Sequence, residues 1–93
     1  SNGVSISSYF VHPSGAVTLM LTSVTPSNPD NCAVTTRVHL KGNLEGHQNM
    51  VAAALAAFAS GKKIGLYSSG CESIPFWGGN IQTPIISNIW VFN

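Results

Sequence analysis

The chain has 93 residues, which is one domain spanning 1–93. Only 8% of its residues are charged, 44% are hydrophobic, and the formal net charge is +1. That balance excludes a disordered chain. It also leaves Arg37, Lys41, Lys62 and Lys63 too thin a basic set for phosphate-driven nucleic-acid binding.

The low charge has two readings. A homo-oligomer would cover apolar surface, since depletion of charge marks interface cores. A secreted monomer with a Ser/Thr/Asn surface would show the same composition. No apolar run approaches the ~20 residues of a membrane-spanning helix. No signal-peptide pattern is expected in the sequence, and the opening SNG reads as a processed terminus or a tag remnant.

In "VSISSYFV", residues 4–11, Val4, Ile6, Ser8 and Phe10 fall on one face of a strand. "HPSG" follows, with Pro13 and Gly15 as turn residues. "AVTLMLTS" then places Val17, Leu19 and Leu21 opposite Thr18, Met20 and Thr22, the period-two pattern of a half-buried strand. The two runs predict a hairpin. Residues 24–32, "VTPSNPDNC", form a loop, because two prolines and a Ser/Asn/Asp cluster disfavour regular structure.

"AVTTRVHL" at 33–40 resumes the alternation. Val34, Thr36, Val38 and Leu40 turn inward, and Arg37 and His39 face water or a partner. Residues 46–60 predict a helix, crowded with alanine. Val51, Leu55 and Phe58 make the stripe expected to face the core. Gly61 ends the helix, and Lys62 and Lys63 suit its negative end. "KIGLY" is a short fourth strand, and "SSGCESIPFWGGN" at 68–80 is a second long loop. "TPIISNIWVFN" closes the chain as a strand apolar on both faces, hence central and covered on both sides.

Three strands, one helix and two strands (β-β-β-α-β-β) is the plan of a five-stranded OB-fold barrel with a helix plugging one end. An up-and-down meander with a stray helix is the competing plan. In the OB-fold, strands three and five are parallel, and strands four and five are antiparallel. The start of strand three and the end of strand four then share one end. Cys32 and Cys71, the two cysteines, sit at those two points, so a disulfide between them is expected in an oxidising, secreted or periplasmic setting. Closing a loop of about 40 residues would contribute roughly 4 kcal/mol. Two buried thiols are the alternative.

The alanine-rich helix ending "ASGKK", the "IGLY" strand, a cysteine, an aromatic loop and the terminal "IISNIWVFN" together resemble small secreted bacterial OB-fold proteins. Among these are the B subunits of subtilase-cytotoxin-like and pertussis-like A–B toxins. The resemblance covers about residues 46–93 as a pattern of elements and has no diagnostic motif. It implies a homo-oligomeric ring of five subunits and a host glycan or glycoprotein as partner; a catalytic A subunit beside the ring and a stand-alone protein without one are equally compatible with it. No sugar-contacting residue transfers by position.

Enzyme chemistry is poorly supported. Asp30, Glu45 and Glu72 are the only acids, and a paired-carboxylate mechanism would need two of them within about 10 Å. His12, His39 and His47 lack metal-ligand spacing, so no metal or cofactor is expected.

Glycan binding fits better, because sugar sites combine an aromatic face with short polar groups. Phe76, Trp77 and Asn80 on one loop, and Asn28 and Asp30 on the other, are the candidate contacts, and a Cys32–Cys71 bridge would set the loops side by side. Trp77 could instead cap the barrel end or pack on a neighbouring subunit. Tyr9 and Tyr67 read as wall packing. The non-glycan alternative is a periplasmic interaction or inhibitor protein.

Overall fold

The computed structural model describes residues 3–43, 45–74 and 82–92. The elements are β1 (Ile6–Val11), β2 (Val17–Leu21), β3 (Arg37–Leu40), α1 (His47–Ser60), β4 (Ile64–Ser73) and β5 (Gln82–Val91). The expected β-β-β-α-β-β order is present. The strands form one mixed sheet in the order β1-β2-β3-β5-β4. β1 and β2 make the hairpin, and β2 and β3 are antiparallel. β3 runs parallel to β5, with His39 opposite Ile85, and β4 is antiparallel to β5.

The sheet is not closed into a barrel, which corrects the expected closure. Among the described residues no ladder joins β1 to β4; just ahead of β1, Val4 makes an isolated bridge with Ile64, with hydrogen bonds of 2.9 and 2.8 Å. Further along β4 the edge is already occupied. The Ser68 N–H donates to Ser27 Oγ at 3.0 Å, and the Gly70 N–H donates to Asp30 Oδ2 at 2.6 Å. These loop acceptors satisfy donors that a closing strand would otherwise take.

The same loop carries the disulfide. Cys32 and Cys71 are bonded, with Cα atoms 5.7 Å apart. Cys71 lies inside β4, not after it. The expected loop begins six residues too early, because β4 continues through Ser68–Ser73. It does so by breaking register between Tyr67 and Ser68 and between Ser68 and Cys71, with Gly70 at φ 85°. Such bulges let a strand bend while it stays paired.

Leu19, Val38, Leu40, Ile64, Leu66 and Ile86 are buried at the centre of the core. Three inward faces differ from the sequence pattern. In β1 the register shifts between Ile6 and Ser8. The extra residue flips the alternation, so Tyr9 packs against the core instead of Ser8 or Phe10. In α1 the expected stripe of Val51, Leu55 and Phe58 is rotated. Ala54 and Ala57 are the buried residues, Met50 and Val51 flank them, and Phe58 is 40% exposed. Small side chains let the helix backbone sit close to large sheet residues, and Phe58 instead meets the edge of Tyr9 at 5.4 Å.

The helix ends where expected. Gly61 takes φ 71°, and the Lys62 N–H reaches the Ala57 carbonyl at 3.0 Å, a left-handed cap that lysine or alanine would strain to adopt. The third difference is in β5. Thr83, Pro84 and Ile86 are buried between β3 and β4, as a central strand requires. Its far end is not covered on both sides, because Trp90, Val91 and Phe92 are exposed.

Candidate functional site

Asn28 and Asp30, expected to contact sugar, serve as braces. Asn28 Nδ2 donates to the Cys32 carbonyl at 3.0 Å, and the Cys32 N–H donates back to Asn28 Oδ1 at 2.8 Å. Asp30 holds the Gly70 N–H at the β4 bulge. Ser27 adds a third tie, its carbonyl accepting from Ser68 Oγ at 2.9 Å. Phe76, Trp77 and Asn80 lie outside the described residues. The disulfide therefore fastens loop 23–32 along β4.

That fastening builds a cleft of about 380 Å³ at the start of β4. Ser23, Val24 and Pro26 form one wall, and Leu66, Tyr67 and Trp90 the other. The aromatic wall follows from strand register. Gly65 stands opposite Trp90, and Tyr67 opposite Asn88. Tyr67 and Trp90 are therefore diagonal neighbours on one face, with ring centroids 5.1 Å apart. Gly65 has no side chain, so the indole lies over its backbone, where an added methyl would overlap the ring. Phe92 continues the row, 6.4 Å beyond Trp90.

Tyr67 is 60% exposed and Trp90 39%, so Tyr67 is not wall packing. No charged side chain lines this cleft among the described residues. The signal in the sequence was the alternation of Ile64 and Leu66 with Gly65 and Tyr67, which puts a glycine and a tyrosine on the outer face.

A second polar cluster lies near the other end of β4. His39, expected to face water or a partner, is only 5% exposed. Thr18, its partner across β2 and β3, is fully buried. Thr18 Oγ1 stands 2.9 Å from His39 Nδ1 and 2.8 Å from His12 Nε2. Lys41 and Glu72 pair nearby at 3.3 Å. A cavity of about 610 Å³ lies over His12, His39, Glu72 and Ile74. Burial holds the His39 imidazole below its ordinary range. Glu72 opposes that shift, while His12 and Lys41 add to it. Among the described residues, no group of three or more His, Cys, Asp or Glu is placed to hold a metal ion.

The chain has no match among protein-family models, curated proteins or solved structures. The described residues form a small β-rich fold with one helix, a five-stranded mixed sheet and one disulfide. The disulfide points to an extracytoplasmic, oxidising compartment. No helix among the described residues is long and apolar enough to cross a membrane.

Proposed function

We propose that the chain is a secreted or periplasmic carbohydrate-binding module, whose sugar site is the Tyr67–Trp90 cleft. The observation that carries this reading is a pair of exposed aromatic rings in an uncharged cleft, with the Ser23 side chain on the facing wall. An aromatic face packs on the C–H face of a pyranose, and Ser23 with nearby backbone groups supplies hydrogen bonds to its hydroxyls. The uncharged lining favours a neutral hexose. A sialic or uronic acid would bring a carboxylate to a cleft without a cation, where desolvation is costly. The test is a glycan array with wild type and Y67A, followed by calorimetric titration of any sugar retained.

The finer fold reading is an opened form of the OB plan. The strand order, the parallel β3–β5 pair and the Val4–Ile64 bridge support it. An experimental structure with β1 and β4 apart at that bridge would overturn it. Self-association is supported by the 8% charge and by exposed Phe92, which extends the apolar row past the cleft. A ring of five, a host glycoprotein target and a catalytic A subunit rest on the resemblance to toxin B subunits alone. Native mass and co-purification test them. The binding reading assigns catalysis to no residue of this chain.

The same apolar row favours one second reading, a non-glycan interaction or inhibitor protein that seats another protein on Tyr67, Trp90 and Phe92. Loss of a protein partner by Y67A, with no sugar bound by wild type, would select it.

A further inference from the structure

We propose that His12, Thr18 and His39 form a one-proton relay that acts as an acid-sensitive latch between the β1–β2 turn and β3. The argument is a count of protons. Thr18 Oγ1 lies within hydrogen-bond distance of one nitrogen of each ring, at 2.8 and 2.9 Å. A hydroxyl has one proton and two lone pairs. With both rings neutral, one donates N–H to Oγ1 and the other accepts its O–H.

A first added proton leaves this chain intact, whichever ring holds it. If the charge sits on His12, then Nε2–H donates to Oγ1 and O–H donates to His39 Nδ1. If it sits on His39, every bond reverses. A second proton ends the arrangement. Both rings then point N–H at Oγ1, and the fully buried Thr18 hydroxyl has lost both acceptors. Two cations also face each other, with ring centroids 5.7 Å apart. An orphaned buried donor and a like-charge pair both oppose that state.

The surrounding charges set which side yields. Glu72 on β4 favours charge on His39, while Lys41 and burial oppose it. Arg37 stands two residues earlier on the same strand. His12 is half-buried, on a turn closed by two backbone bonds, His12 N–H to Ala16 O at 2.8 Å and Gly15 N–H to His12 O at 2.9 Å. His39 is fixed within the sheet. The turn is therefore the part that leaves when the second proton arrives.

The test is titration of the ring signals by NMR, with His47 as internal reference. Both His12 and His39 rings should report the same two steps, separated by about one pH unit or more. T18V removes the shared hydroxyl and should bring the two steps closer together, separated only by the repulsion between rings 5.7 Å apart, with His47 unchanged. H12Q keeps an amide donor and should reduce His39 to a single step, which decides the matter if T18V does not fold. Amide protection at His12 and Gly15 should fall about tenfold through the acid step, the equivalent of one pH unit of coupling, while Leu19 and Val38 stay protected. Independent midpoints unmoved by either variant, or turn protection lost only together with the core, would overturn the latch.

Discussion

Replacing both cysteines in C32A/C71A should cost about 4 kcal/mol, almost all of it through the unfolded chain. The cross-link joins positions 39 apart. In the chain-entropy relation a loop of about 40 residues gives about 13 cal/mol/K, or about 4 kcal/mol at 25 °C. The folded loop should stay docked without the bond. The Asn28–Cys32 ties use the Cys32 backbone, and Ser27 and Asp30 still hold Ser68 and Gly70. A domain of this size has about 5–14 kcal/mol in total, so the loss is a large fraction.

Urea unfolding followed by circular dichroism should show a lower midpoint and a larger m-value, because the unlinked denatured state exposes more surface. The melting temperature should drop by about 15–30 °C. Reduced wild type should match the double variant. A loss below about 1 kcal/mol would refute the reasoning, because it would mean the unfolded chain already holds that loop closed.

Other outcomes follow from single contacts. L19A, at a fully buried site, should cost about 2–5 kcal/mol in the same assay. G65A should push Trp90 off the sheet face, costing about 1–3 kcal/mol and changing the tryptophan emission. D30A should cost about 1–2 kcal/mol by freeing the Gly70 N–H yet leave sugar affinity unchanged; a lost sugar site with normal stability would return Asp30 to the contacts. The folded His39 is held below its ordinary 6.5, so the unfolded chain takes up more protons as pH falls through that value. Its contribution is complete above 6.5 and is lost on acidification. Urea midpoints at about pH 7.5 and about pH 5 should therefore differ in that direction, and less so in H39N.

The order of elements was legible because its signals are local. Alternation marks β2, alanine and Gly61 mark α1, and the cysteine spacing agrees with a parallel β3–β5 pair. What was not legible depends on single extra residues or on neighbours distant in sequence. The β1 bulge moved Tyr9 inward, and the bulges around Gly70 kept β4 running past the point where turn residues predict a stop. Arg37 and His39 alternate correctly, yet His39 is covered because His12 folds over it from the preceding hairpin. The candidate site shifted for a similar reason. Asn28 Oδ1 accepts the Cys32 N–H within its own loop, and Asp30 Oδ2 accepts the Gly70 N–H of β4, so both side chains have structural partners. The alternation around Gly65 and Tyr67 marks an outer face, but the pairing of Tyr67 with Trp90 is a diagonal across two strands that meet only in the fold.

The central claim is tested most directly by titrating a neutral hexose-terminated glycan, chosen from the array, into wild type, Y67A and W90A by calorimetry. Removing one ring from a stacked sugar costs about 1–2 kcal/mol, or about five- to thirtyfold in Kd. The account predicts that loss in both variants, with urea stability of Y67A lowered by no more than about 1.5 kcal/mol, because its mostly exposed ring has the Trp90 edge contact to lose. A glycan bound equally well by all three proteins would contradict it, as would an array on which wild type retains no sugar.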